Sequence, residues 1–179
     1  MRANIRLIAI LLMMIAVGLS TGCGKEETAT TQGSATQAAL PGNWKAALPA
    51  NVTGLTVKDG GACYLDMVNN DAPGNAPILV RSGLPMSLAG WVVADQTAGH
   101  TGSALWVQLN AVAPYFITAD GYQRPGLGAA LKNPALDAGG LKLDPSALNV
   151  PAGAYEVLFI AQSGNELVRC DTHHALRVQ

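Results

Sequence analysis

Few residues in this 179-residue chain have the types needed for metal or nucleophile chemistry, and its histidines number three, as do its cysteines. His173 and His174 are adjacent, so on a regular strand their side chains leave on opposite faces, and only a bulge would converge them. His100, Met67 and Met86 complete a copper-like donor set by type, but no i, i+2 or i, i+4 spacing supports it. Ser163, Asp171 and His173 supply the types of a hydrolytic triad. Ser163, however, lies in Ser-Gly-Asn, a hairpin signal rather than a Gly-x-Ser-x-Gly elbow, and Asp171 beside His173 reads as solvated strand polarity. Gly126-Leu127-Gly128 lacks the later glycine and the Lys-Ser/Thr pair of a phosphate-cradling loop. The expectation is a non-enzymatic protein with no cofactor and no metal ligands, the alternatives being a periplasmic metal-binding protein and, behind it, a hydrolase.

Recognition chemistry is better represented. Trp106 shares its strand face with Gln108 and Asn110, opposite Leu105, Val107 and Leu109, which predicts an exposed aromatic suited to stacking on a sugar ring or docking a protein. Its alternative is a tryptophan covered by the loop of the 120s. Tyr122 and Arg124 flank that loop and join Trp106 as ligand-binding candidates, although Arg124 could equally hydrogen-bond loop carbonyls. Trp91, in phase with Ala89 and Val93, is expected in the core.

These side chains must be positioned by strands. Short β-prone runs cover 55–58, 62–68, 78–82, 86–95, 104–112, 115–118, 155–162 and 166–178, separated by Gly, Asn and Asp signals such as Asp59-Gly60-Gly61 and Ser163-Gly164-Asn165. The one helical candidate is 126–132. This pattern predicts an all-β fold: a single antiparallel immunoglobulin-like β-sandwich of seven or eight strands with one short helical turn. Period-2 alternation puts Cys63 with Leu65 and Met67, and Cys170 with Val168, Leu176 and Val178, so both cysteines are expected to point inward.

The N-terminus carries Arg2 and Arg6, then an apolar run over 7–19, then Leu19-Ser20-Thr21-Gly22-Cys23. The run fits a signal peptide and is too short to span a bilayer. The junction resembles the lipobox of bacterial lipoproteins, with Ser20 standing where the family usually carries Leu. The resemblance implies lipidation of Cys23, membrane attachment through that N-terminal lipid, and, from Gly24 at the next position, the outer membrane facing the periplasm. An ordinary cleaved signal peptide is the alternative. Acylation of Cys23 would leave Cys63 and Cys170 as a pair in an oxidising compartment, against the alternative of two unpaired buried thiols.

Residues 1–22 are thus expected to be a lipoprotein signal peptide, 23–50 a flexible tether and 51–179 the β-sandwich domain. The segment after Cys23 is rich in Thr, Ala, Gln, Ser and Gly and has too little bulk to offset its ordering entropy. Removing Arg2 and Arg6 from 11 basic residues leaves 9 against 12 acidic, a net charge of −3. That balance excludes a nucleic-acid partner held by a basic patch.

Gly90-Trp91, Arg124-Pro125-Gly126-Leu127, Gly139-Gly140-Leu141 and Pro151-Ala152-Gly153-Ala154-Tyr155 follow one another in an order that resembles small sandwich domains of bacterial envelope and polysaccharide-assembly proteins. The resemblance covers about half of the mature chain. It implies the sandwich architecture and an envelope setting, with an envelope protein or a polysaccharide as partner.

Overall fold

The computed structural model describes residues 43–179; the expected signal peptide, Cys23 and the tether up to residue 42 lie outside the described residues. Among the described residues nine strands form: β1 Thr56–Asp59, β2 Ala62–Val68, β3 Ile78–Val80, β4 Pro85–Val93, β5 Leu105–Asn110, β6 Tyr115–Tyr122, β7 Gly140–Ala147, β8 Gly153–Ser163 and β9 Glu166–Val178. A one-turn helix, α1 (Leu127–Ala130), and a 3-10 turn (Pro134–Ala138) fill the long β6–β7 connection.

The strands make one curled sheet in the order β1-β9-β8-β5-β6-β7-β4-β2. The expectation of a purely antiparallel sandwich is corrected here, because β1 pairs parallel with the first part of β9 (Thr56↔Glu166) and β3 parallel with its last part (Ile78↔Leu176). Both occupy the edge of β9 that β8 leaves open. Parallel partners come from distant sequence, so no hairpin signal announces them.

Local chemistry accounts for the tight connections. β8 and β9 are joined through Gly164 and Asn165, with Gly164 at φ 59° in the first central position, where a two-residue hairpin favours glycine. Asn69 and Asn70, at φ 52° and 70°, turn the chain after β2 so that Val68 and Asp71 exchange backbone hydrogen bonds of 2.9 and 3.0 Å. Asparagine tolerates this left-handed region better than other residues with a Cβ.

The main core lies inside the curl. Leu88 and Val92 of β4, Leu141 and Leu143 of β7, Val107 and Leu109 of β5, and Val157 and Phe159 of β8 meet there, as strand alternation requires. Gly90 lets β4 approach Phe159: a Cβ at this position would stand 2.8 Å from the Phe159 ring. Cys63 on β2 and Cys170 on β9 are disulfide-bonded, with Cα atoms 6.1 Å apart and a sequence separation of 107. The bond clips the far end of the strand order to β9. Beside it, Tyr64 and His174 meet edge to face at 5.9 Å between ring centroids.

Two satellite clusters cover the outer surface. Leu127 and Leu136, from the β6–β7 connection, pack with Val93 and partly buried Trp91. The expected core position of Trp91 is corrected accordingly: its register partner is Tyr64, one residue out of phase with the pair Cys63↔Val92 that faces the core. In the other cluster, Leu48, Val52 and Leu55 cover Trp106, Ile160 and Leu167. Residues 43–50 therefore belong to the folded body rather than to a tether ending at residue 50. Trp44 is buried in the main core, and Lys45 exchanges backbone hydrogen bonds of 2.8 and 2.7 Å with Phe116 of β6.

Candidate functional site

A cavity of about 770 Å³ opens where β6 and β7 part company. β6 pairs with β5 from Tyr115 to Ala119 but joins β7 only from Asp120 to Tyr122. Pro145 of β7 offers no N–H to a neighbour, and residues 43–45 take the place beside Phe116 that β7 leaves free. The result is a groove on the outer face. Phe116, Thr118 and Asp120, alternate residues of β6, lie along it. Lys45, Leu48 and Pro49 form one wall, and Asp144, Pro145 and Ser146 the other.

Trp106 and Ser146 also line this groove, and each carries a polar atom, Nε1 and Oγ respectively, that is buried with no hydrogen-bond partner. A buried polar group left unpaired costs on the order of 1–3 kcal/mol, so two in one lining mark a place where the fold does not satisfy itself. The charges are two carboxylates, Asp120 and Asp144, and one ammonium, Lys45. Asp144 makes an exposed ion pair of 3.1 Å with Lys142.

The three ligand-binding candidates separate. Trp106 is only 4% exposed, so it offers no free ring face; the expected exposed aromatic is instead sealed by the N-terminal segment, not by the loop of the 120s. Tyr122 and Arg124 serve the other half of the sheet. The Tyr122 ring covers Gly140, where a Cβ would stand 2.8 Å from it, and its hydroxyl donates to the Gly90 carbonyl at 3.4 Å. Arg124 holds Asp66 of β2 with both guanidinium nitrogens, Nη2 to Oδ1 at 3.1 Å, while its backbone N–H donates to the Asp137 carbonyl at 2.6 Å. Burial works against the Arg124 charge, but the Asp66 hydrogen bond and carboxylate outweigh it and raise its pKa above the ordinary arginine value. This pair fastens the β6–β7 connection to β2.

The chemistry considered for the histidines and serine is dispersed. A bulge does occur in β9, where the register with β8 shifts between Glu156 and Leu158 and His173 adopts φ 60°. It turns His173 into solvent, 3.3 Å from Asp171, while His174 packs on Tyr64. No group of three or more His, Cys, Asp or Glu side chains suited to a metal ion occurs among the described residues. Ser163 pairs with Glu166 at the opposite end of the hairpin, so seven strand residues, roughly 20 Å, part it from His173.

A second cavity of about 470 Å³ lies beside β9, and its carboxylates already have hydrogen-bond partners within the protein. Arg169 donates to Asp59 at 2.6 Å, which lowers the Asp59 pKa, and Asn110 donates to Glu156 at 2.8 Å. The groove between β6 and β7 is therefore the better candidate. Sequence reasoning missed it because Asp144-Pro145 reads as a strand breaker and 43–49 as the end of a tether. The chain matches no protein-family model, no curated protein and no solved structure.

Proposed function

We propose that this protein is a lipid-anchored, non-enzymatic component of the bacterial cell envelope, carried on Cys23 at the periplasmic face of the outer membrane, whose β domain acts as an interaction or structural module. The observation that carries the reading is the Cys63–Cys170 disulfide. Disulfides persist in oxidising compartments. With those two cysteines paired, Cys23 is the third cysteine of the chain, and it stands directly after an apolar segment headed by Arg2 and Arg6. A free reactive thiol is a liability in such a compartment; acylation removes it.

The module itself is best read as a variant of the immunoglobulin-like architecture. In favour stand a disulfide joining the two halves of the curl and Tyr155, whose hydroxyl donates 2.9 Å to the Pro151 carbonyl four residues upstream, as a tyrosine corner does. A binding role is supported by the groove, whose lining combines polar and apolar side chains. An envelope protein or a polysaccharide fits as partner.

Metabolic labelling with a fatty acid tests the anchor. Wild type should take up label and sediment with membranes, and Cys23→Ala should do neither. Label retained by Cys23→Ala would overturn the assignment.

A further inference from the structure

We infer that the groove between residues 43–49 and the end of β7 binds a short, uncharged oligosaccharide. This rests on the reading of the protein as an envelope binding module and names the ligand class of that groove. The lining carries Asp120, Asp144 and Lys45, and Lys142 pairs with Asp144 at 3.1 Å, so the charges at the groove come close to balance. A phosphate, a sulfate or a uronate would find the Lys45 ammonium beside the Asp120 carboxylate and no surplus of positive charge to hold it. An acyl chain would desolvate Asp120 and Thr118 without pairing them.

A polyol fits each part of the lining. Its hydroxyls donate to Asp120 and Asp144 and accept from Lys45, and charge-assisted bonds of this kind are the stronger ones. Because a hydroxyl both donates and accepts, it can serve the carboxylates and the ammonium of the lining alike. The C–H faces of sugar rings find the half-buried Phe116 ring and the side chains of Leu48, Pro49 and Pro145. The cavity, about 770 Å³, falls within the range of roughly 300–1,000 Å³ typical of small-molecule sites.

A peptide is the weaker occupant for a reason internal to the sheet. Strand addition needs several alternate residues with open backbone groups. On the β7-facing edge of β6, Phe116 is already bonded to Lys45, and β7 occupies the edge from Asp120 onward. Only Thr118 remains between them among the described residues.

The test uses the full mature chain, purified in detergent, with chitotetraose, maltotetraose and cellotetraose as probes and tryptophan fluorescence and calorimetry as readouts. At least one probe should saturate, competing with neither inorganic phosphate nor an unstructured peptide. Thr118→Arg should weaken binding about tenfold or more by filling the groove from an exposed position, and Asp120→Asn should weaken it severalfold. Thr118→Arg should keep the wild-type melting temperature, so a loss of binding reports the groove and not the fold. Saturation by the peptide alone, no saturation by any of the three sugars at millimolar concentration, or sugar binding unchanged in both variants would overturn the inference. Sugar binding without a lipid on Cys23 would keep the groove and remove the anchor; a lipid without sugar binding would do the reverse.

Discussion

Replacing both Cys63 and Cys170 with alanine should destabilise the domain by about 4–5 kcal/mol. The figure follows from topology. The disulfide closes a loop of 107 residues, and the loss of chain entropy in the unfolded state for a loop of that length corresponds to roughly 4.8 kcal/mol at 25 °C. The native state adds little that would substitute for it, because β2 ends the strand order and is hydrogen-bonded to β4 alone among the strands, so its side toward β9 is held by the disulfide and side-chain packing. For a domain of this size the loss translates to a fall in melting temperature of about 10–20 °C. Urea unfolding followed by tryptophan fluorescence, with wild type compared to the double variant and to reduced wild type, gives the number. Reduced wild type should fall close to the double variant. A loss below 1 kcal/mol, or two titratable thiols in denatured, unreduced wild type, would refute the role assigned to the bond.

Four further outcomes follow from the packing. Trp106→Ala should cost about 3–5 kcal/mol, as truncation of a buried aromatic does, and a folded variant with unchanged urea midpoint would restore the exposed reading. Gly90→Ala should destabilise by about 1–3 kcal/mol because its Cβ would fall 2.4 Å from the Tyr64 carbonyl oxygen and press on the Phe159 ring, measurable as a lowered urea midpoint, whereas Gly164→Ala, with open space around it, suffers only its positive φ. Arg124→Ala should lower stability by about 1–2 kcal/mol through the half-buried Asp66 it leaves behind, with Arg124→Lys recovering part; a wild-type melting temperature would contradict the clamp. Burial, aided by Tyr115, raises the Tyr155 pKa above 10.0, so its phenol prefers the neutral form when folded. The corresponding stability is fully present below the unfolded tyrosine pKa and is lost as pH rises through the folded one, so alkaline unfolding should coincide with late ionisation of Tyr155 and shift to higher pH in Tyr155→Phe.

Much of the fold is written locally. β2 and β9 have the bounds their alternation and turn residues indicate, and α1 falls within the helical candidate 126–132. The inward direction of Cys63 and Cys170 follows from the same alternation, which is why their pairing is legible without knowledge of the topology. β7 is not legible, because Gly139-Gly140 and Pro145 dilute the signal of Leu141 and Leu143. Nor are β1 and β3 as parallel partners of β9, since nothing local encodes a pairing between segments about a hundred residues apart.

The site is harder to read for a physical reason. Alternation assigns a residue to a face of the sheet but says nothing of what lies on that face. Trp106 is outward-facing, as the period predicts, yet Leu48, Val52 and Leu55 bury it. Leu48 sits in a stretch too poor in pattern to be taken for folded chain. The groove depends on the same stretch, so it becomes visible only when residues 43–49 are placed. Tyr122 and Arg124, selected beside Trp106, instead hold the opposite half of the sheet to the β6–β7 connection.

The central claim is that this domain is carried on a lipidated Cys23, and intact-mass spectrometry of the protein purified from membranes addresses it in one measurement. The account predicts a mature chain that begins at Cys23, bears a diacylglyceryl adduct with or without a third acyl chain, and retains the two hydrogens' deficit of the Cys63–Cys170 bond. An unmodified mass beginning at any other residue would contradict it.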